Sequence, residues 1–82
     1  MADIILPELG ENIKGATVSF WYFKAGDEVK KGEDLVELTT DKAAFNLPSP
    51  LSGLLENITA PEGSVVNVGG SLGSIKIGRA HV

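Results

Sequence analysis

The chain has 82 residues, enough for one small domain, and a domain of this size buries only about 60% of its unfolded surface, which leaves little room for a catalytic cleft. Its 43% hydrophobic and 22% charged residues are typical of a folded soluble domain, and the absence of cysteine excludes disulfides, thiolate metal sites and a cysteine nucleophile. The net charge of −4, with basic residues scattered along the chain, speaks against nucleic-acid binding, which needs a concentrated positive face.

The N-terminal segment does not have the composition of a signal peptide or a membrane span. Its apolar run, residues 4–6, lies between Asp3 and Pro7 and is far shorter than the ~20 residues of a membrane helix. We therefore expect a cytoplasmic protein without membrane association, or a mitochondrial matrix protein whose transit peptide has been removed.

Short apolar stretches, interrupted by ten glycines and four prolines, predict an all-β fold. No stretch long enough for a helix keeps an uninterrupted helical period. In chain order, we predict strands at residues 4–6, 17–23, a short one around Val29, 35–39, 44–47, 54–59, a short one around Val66, and 72–77.

An internal repeat with an offset of 37 residues relates the two halves of the chain, so that Gly26 falls on Gly63. The other matches are Val18 on Leu55, Trp21 on Ile58, Val29 on Val66, Gly32 on Gly69 and Leu35 on Leu72. One half cannot cover its own hydrophobic face, whereas two facing halves can. The repeat therefore predicts a sandwich with quasi-two-fold symmetry.

The predicted core consists of apolar side chains that recur along these strands: Leu6, Val18, Trp21, Phe23, Val29, Leu35, Val36, Leu38, Phe45, Leu47, Leu55, Ile58, Val66, Leu72, Ile75 and Ile77. The last residues, 79–82, include the single histidine, His81, and have no pattern to bury. We predict a domain over residues 1–78, followed by a tail or the beginning of a linker.

A hairpin is predicted where two alternating strands, residues 35–39 and 44–47, are separated by only a few residues. Its tip carries Asp41 and Lys42. Because Asp-Lys lacks the glycine of the favoured two-residue hairpin loops, turn propensity does not account for the lysine. Flanked by Asp41 and the small Ala43, Lys42 offers the accessible primary amine that an acylating enzyme requires.

Other motifs do not lead to a function. Gly10 and Gly15 have the spacing of a phosphate-binding loop, but Ala16-Thr17 follows where Lys-Ser/Thr is required. The paired carboxylates of the chain lie beside turn glycines, where they are normally solvated. Since no nucleophile, base and orienting group can be combined, we predict no catalytic residue and no metal ligand.

In its motifs the chain resembles the lipoyl domain of the dihydrolipoamide acyltransferases of 2-oxo acid dehydrogenase complexes. The matching segments are Ile5 to Glu11, Trp21, Lys24 to Val29, Thr40 to Ala43, Pro48 to Pro50 with Gly53, and Glu62-Gly63. The resemblance implies a flattened sandwich or barrel of two four-stranded antiparallel sheets, with lipoic acid joined by an amide to Lys42. Asn46 departs from a frequent glutamate of the family, and Ala16 from a common glycine.

The resemblance implies a swinging-arm carrier that is not an enzyme on its own. A thiamine-dependent 2-oxo acid decarboxylase would acylate the lipoyl group reductively, the acyltransferase catalytic domain would transfer the acyl group to coenzyme A, and dihydrolipoamide dehydrogenase would reoxidise the carrier. A lipoate-attaching enzyme would recognise Asp41 and Ala43, and the loop residues Glu11, Asn12 and Ile13 would contact the decarboxylase. We expect a pyruvate dehydrogenase complex as the setting and a monomeric isolated domain.

Two alternatives stay open at this point. A biotin carrier domain resembles the same fold and also carries its group on a hairpin lysine, but methionines usually flank that lysine, where this chain has Asp41 and Ala43. The second alternative is an interaction module that kept the fold without modification. Mass measurement of protein from cells that contain lipoic acid separates the second alternative from a carrier.

Overall fold

The computed structural model describes residues 2–77, which contain eight strands. They are β1 (Ala2–Ile5), β2 (Gly15–Trp21), β3 (Glu28–Val29), β4 (Asp34–Thr39), β5 (Ala44–Pro48), β6 (Gly53–Ile58), β7 (Val65–Asn67) and β8 (Ser71–Lys76). Every predicted strand is present, with ends within two residues of the prediction. The predicted tail, residues 79–82, lies outside the described residues.

The strands form two four-stranded antiparallel sheets, one in the order β1-β8-β6-β3 and the other in the order β5-β4-β2-β7. The all-β prediction and the two-sheet architecture are confirmed. Within residues 2–77, no helix is long and apolar enough to cross a membrane.

The internal repeat is visible in the backbone. An offset of 37 residues carries β2, β3 and β4 onto β6, β7 and β8, and β-bulges interrupt both the β2–β4 and the β6–β8 pairing at matching positions. The turn glycines have matching left-handed φ angles, 98° at Gly26 against 94° at Gly63, and 93° at Gly32 against 87° at Gly69. Residues with a Cβ rarely adopt these angles, which explains why glycine recurs at both positions.

The core lies between the two sheets. Its buried apolar members are Ile4, Leu6, Ala16, Val18, Trp21, Val29, Leu35, Val36, Leu38, Leu55, Ala60, Val66, Leu72 and Ile75. Leu35 and Val36 are both buried although they are neighbours, because the β4–β5 register shifts between Asp34 and Val36. The buried indole of Trp21 donates its Nε1–H to the carbonyl oxygen of Ala60 at 2.8 Å, so its polar atom is satisfied.

The core prediction is wrong for Ile77, which is 62% exposed because it lies beyond the last paired residue of β8. Four other predicted members are only partly buried against the core: Phe23, Phe45, Leu47 and Ile58. The predicted core lacks Ile4, Ala16 and Ala60, because Ile4 lies in a run of three apolar residues without alternation and the two alanines are too small to mark a core position.

Candidate functional site

The tip of the β4–β5 hairpin is a four-residue turn, Thr40 to Ala43, that follows the last paired residues Thr39 and Ala44. The Thr40 N–H donates to the Ala43 carbonyl at 2.8 Å. The Thr40 hydroxyl accepts hydrogen bonds from the N–H groups of Lys42 and Ala43, both at 3.1 Å, and donates to the Ala43 carbonyl oxygen at 3.0 Å. One side chain therefore ties the whole turn together.

The hydrogen bonds of the Thr40 hydroxyl stabilise this turn without the glycine that two-residue hairpin loops favour. Among residues 2–77, Asn12 is the only residue other than glycine with a positive φ, so Asp41 and Lys42 both keep ordinary backbone angles. A hydroxyl can donate once and accept twice, and Thr40 uses all of this capacity within the turn. The turn is thus constrained without requiring a special residue at the lysine position.

The three predicted hairpin residues lie where the sequence analysis expected them. Asp41, Lys42 and Ala43 are all exposed, at the end of a strand pair whose inward side chains, such as Leu38, are fully buried. The primary amine is therefore carried by a flexible side chain on an anchored backbone. This combination leaves the amine accessible while fixing the position from which it extends.

The segment between β1 and β2 lies beside the lysine. A surface pocket of about 320 Å³ separates it from the hairpin. The pocket is lined by Thr40, Lys42, Ala43 and Phe45 on the hairpin and by Glu8, Leu9 and Ile13 on the segment. Most of these side chains are apolar, so the immediate surroundings of the amine favour contact with a hydrocarbon group.

Of the three loop residues predicted to contact a partner, only Ile13 lines this pocket, and it is half-buried. Glu11 and Asn12 are exposed beside it, and Asn12 adopts the left-handed φ of 67° that asparagine tolerates. The Ile13 N–H donates to the Gly10 carbonyl at 3.3 Å, which closes the loop. Glu11, Asn12 and Lys42 thus lie on neighbouring surface segments.

A second surface pocket, of about 470 Å³, borders the tip on the side of β2 and β7. Its lining includes Thr17, Thr39, Asp41 and Val65, and the Val65 side chain is 74% exposed. The hairpin tip is consequently approached by open space on two sides. Within residues 2–77, no group of three or more acidic, histidine or cysteine side chains is placed to hold a metal ion.

Sequence reasoning missed Thr40, Glu8 and Leu9 as parts of this site. The signal for Thr40 was available, since threonine before a tight turn often bonds to backbone groups a few residues ahead. Glu8 and Leu9 gave no such signal, because their proximity to Lys42 depends on how the β1–β2 segment crosses the end of the sandwich.

Comparison with known proteins agrees with this geometry. A sequence model of the biotin/lipoyl attachment family, described as "Biotin-requiring enzyme", matches residues 2–75. The solved lipoyl domain of the dihydrolipoyl succinyltransferase component of the Escherichia coli 2-oxoglutarate dehydrogenase complex superimposes with a TM-score of 0.75 and 37% identity, covering 95% of this chain and 98% of that chain. The chain belongs to the lipoyl-domain branch of this family, whose members carry lipoic acid covalently on a lysine.

Two curated relatives are longer proteins that contain a similar segment. The succinyltransferase component of the 2-oxoglutarate dehydrogenase complex from Bartonella vinsonii subsp. berkhoffii is 45% identical over 80 residues, 98% of this chain and 20% of that protein. The acetyltransferase component of the pyruvate dehydrogenase complex from Mycobacterium bovis is 45% identical over 74 residues, 90% of this chain and 13% of that protein. The chain thus spans a fifth or less of the length of these relatives and corresponds to their carrier portion.

Proposed function

We propose that Lys42 is the residue that carries lipoic acid through an amide, and that the domain is a swinging-arm acyl carrier of a 2-oxo acid dehydrogenase complex. The observation that supports this most strongly is the exposed Lys42 amine on a hairpin tip that Thr40 constrains. The donor fits the group, because a primary amine forms an amide with an activated carboxyl group. When bound, the lipoyl group supplies a dithiolane that accepts an acyl group together with two electrons.

The hairpin residues present the amine to other proteins. Thr40 keeps the backbone at Lys42 in one conformation, so little ordering is needed when an enzyme engages the tip. Ala43 leaves the approach to the amine open, and Asp41 offers a charge for recognition; both side chains are exposed. We propose that the lipoate-attaching enzyme recognises Asp41 and Ala43 together with the backbone of the turn.

The proposed partners are the thiamine-dependent decarboxylase, the acyltransferase catalytic domain and dihydrolipoamide dehydrogenase. Support comes from the two curated relatives, which are named as acyltransferase components of dehydrogenase complexes. Tethering to such a component gives the carrier a high effective concentration at each active site, so each encounter functions without tight binding.

Two 2-oxo acids are candidates for the substrate that the complex decarboxylates. The sequence-based expectation of pyruvate stays a prediction, and the Mycobacterium bovis relative supports it. The Bartonella relative, at the same identity, and the Escherichia coli structure support 2-oxoglutarate, which we take as the first candidate.

The lipoylated domain should be offered to both decarboxylases, each with its own substrate. Faster acylation with the 2-oxoglutarate enzyme supports this order, faster acylation with the pyruvate enzyme reverses it, and acylation by neither contradicts both assignments and leaves a branched-chain 2-oxo acid as the candidate.

The loop beside the lysine is the proposed contact with the decarboxylase. Glu11 and Asn12 are exposed, whereas Ile13 also packs beside the hairpin, so Glu11→Ser with Asn12→Gly tests recognition without opening the pocket. Glycine is suited to the left-handed φ at position 12. Glu56→Ser, which removes the same charge from an exposed position on the other sheet, is the matched control.

We expect the loop variant to fold and to be lipoylated like the parent, because the attaching enzyme is proposed to read the hairpin. Its reductive acylation by the cognate decarboxylase should be several-fold slower, while the Glu56→Ser control keeps the parent rate. Circular dichroism and intact mass establish folding and complete lipoylation before the kinetics are compared. Equal acylation rates for the loop variant and the parent would show that the loop is only a connector.

A further inference from the structure

Two exposed aromatic side chains meet on the outer face of the β5-β4-β2-β7 sheet, and we call Phe20 and Tyr22 the aromatic patch. Phe20 is 48% exposed and Tyr22 44%, and their ring centroids are 5.1 Å apart in an edge-to-face arrangement. Both residues line a surface pocket of about 520 Å³. The patch therefore presents an apolar surface together with a shallow depression.

The fold does not require aromatic residues at these positions. The 37-residue repeat carries Phe20 onto Asn57 and Tyr22 onto Thr59, and both of these polar side chains are exposed on the other sheet. The strands and the β-bulge are the same in the two halves. The second half of the molecule thus shows that the same backbone folds with polar side chains at these positions.

The patch is held in place by hydrogen bonds across three segments. The Tyr22 hydroxyl donates to Asn46 Oδ1 at 2.9 Å, and the Asn46 amide Nδ2 donates to Asp34 Oδ2 at 3.1 Å. Together with the contact to Phe20, these bonds restrict the tyrosine ring in the free protein. A surface that is ordered before binding loses less conformational entropy when a partner docks.

Carboxylates surround the aromatic patch. Glu37 lies directly opposite Phe20 in the β2–β4 pairing, and Asp34 is linked to Tyr22 through the asparagine. Asp27 and Glu62 line the same pocket as the two aromatic residues, and the pocket lining also includes one cation, Lys24. A ring face beside a carboxylate suits an arginine side chain, whose planar guanidinium stacks on aromatic rings and pairs with carboxylates.

We propose that the aromatic patch is a docking surface for an arginine-bearing segment of a partner protein, an interaction that goes beyond the acyl-carrier function. A second copy of this chain is disfavoured as the occupant, because each copy has a net charge of −4. The patch also lies away from the hairpin tip, since Trp21 pairs with Val36 whereas Thr17 pairs with Thr39 next to the turn. A partner bound at the patch leaves Lys42 free to move.

The test is a titration of the unmodified domain at low salt with a short peptide in which arginine and alanine alternate and both ends are capped. Binding is followed by the amide chemical shifts of the domain. The control peptide has citrulline, which has the shape of arginine without its charge. Phe20→Asn with Tyr22→Thr copies the side chains that the repeat has at the equivalent positions. Glu37→Gln keeps both rings and removes one carboxylate, so the test also holds if the double variant does not fold.

We expect saturable shifts centred on Phe20, Tyr22, Glu37 and Asn46. Two pairs should bind about tenfold more weakly than the arginine peptide binds the parent: the citrulline peptide with the parent, and the arginine peptide with the double variant. A tenfold change corresponds to the loss of two exposed cation–aromatic contacts. Glu37→Gln should weaken binding by a smaller factor. Shifts spread over all exposed carboxylates, with equal affinity in parent and variants, would overturn the proposal. Concentration-dependent shifts of the same amides without peptide would overturn it in favour of a second copy.

Discussion

Thr40→Val tests whether one hydroxyl constrains the hairpin that carries Lys42. Valine has nearly the shape of threonine and keeps its preference for extended backbone, so the substitution removes little besides the hydroxyl. The structure gives that hydroxyl three hydrogen bonds, two accepted from the Lys42 and Ala43 N–H groups and one donated to the Ala43 carbonyl. Thr40→Ser keeps the hydroxyl and is the matched control.

The expected loss follows from the exposure of these bonds. A typical intramolecular hydrogen bond contributes a net ~0.5–1.5 kcal/mol, and the turn is accessible to water, which replaces the lost partners. For three such bonds we therefore take the lower end of the range and expect Thr40→Val to lower the free energy of unfolding by about 1–2 kcal/mol. Thr40→Ser, which loses only a methyl group, should stay within about 0.5 kcal/mol of the parent.

Urea unfolding, followed by the fluorescence of the buried Trp21, measures these differences, and amide hydrogen exchange reports on the turn itself. In Thr40→Val the Lys42 and Ala43 amides should exchange faster, and attachment of lipoic acid should be slower than in Thr40→Ser. If the valine variant matched the parent in stability, in exchange at these two amides and in attachment rate, the hydroxyl would not be what constrains the tip.

Further predictions follow from burial and from close backbone contacts. Lys42→Ala should change the free energy of unfolding by less than about 0.5 kcal/mol, whereas Leu38→Ala, at a fully buried position, should lower it by roughly 2–5 kcal/mol in urea unfolding. Gly73→Ala should lower it by about 1–3 kcal/mol, since a Cβ there would collide with a backbone carbonyl of β6; unchanged stability would contradict that contact. Asn46→Glu should destabilise by about 1 kcal/mol at low salt, because it places a carboxylate directly opposite Glu37 and within reach of Asp34, and added salt should reduce the effect. A salt-independent loss would point to the broken hydrogen bonds instead.

The strands and the repeat were predictable because both depend on local patterns. Alternating side chains set the strands, and the left-handed turns require glycine, so Gly26 and Gly63 mark the same turn in each half. The hairpin and its lysine followed from the short separation between two alternating runs. Interactions of this kind can be inferred from residues that are close in the sequence.

Long-range placement accounts for what was missed. The hydrogen bonds from Tyr22 to Asn46 and from Asn46 to Asp34 join residues that are far apart in the chain, and no local sequence pattern predicts them. Phe45 alternates like a core residue, yet it is only partly buried because it lines the pocket beside the lysine. Ile77 continues the alternation of β8 but has no strand partner to cover it.

Peptide mapping of lipoylation sites tests the central claim most directly. The parent and Lys42→Arg should be produced with a lipoate-attaching enzyme and lipoic acid, and both should be checked for folding by circular dichroism. We predict one lipoyl group in the parent, on the peptide that contains Lys42, and none in the variant. Attachment also removes one positive charge, so the modified parent should migrate faster toward the anode than the unmodified chain with its net charge of −4. Lipoylation of Lys42→Arg at the parent yield, or a lipoyl group on any other lysine of the parent, would contradict the account.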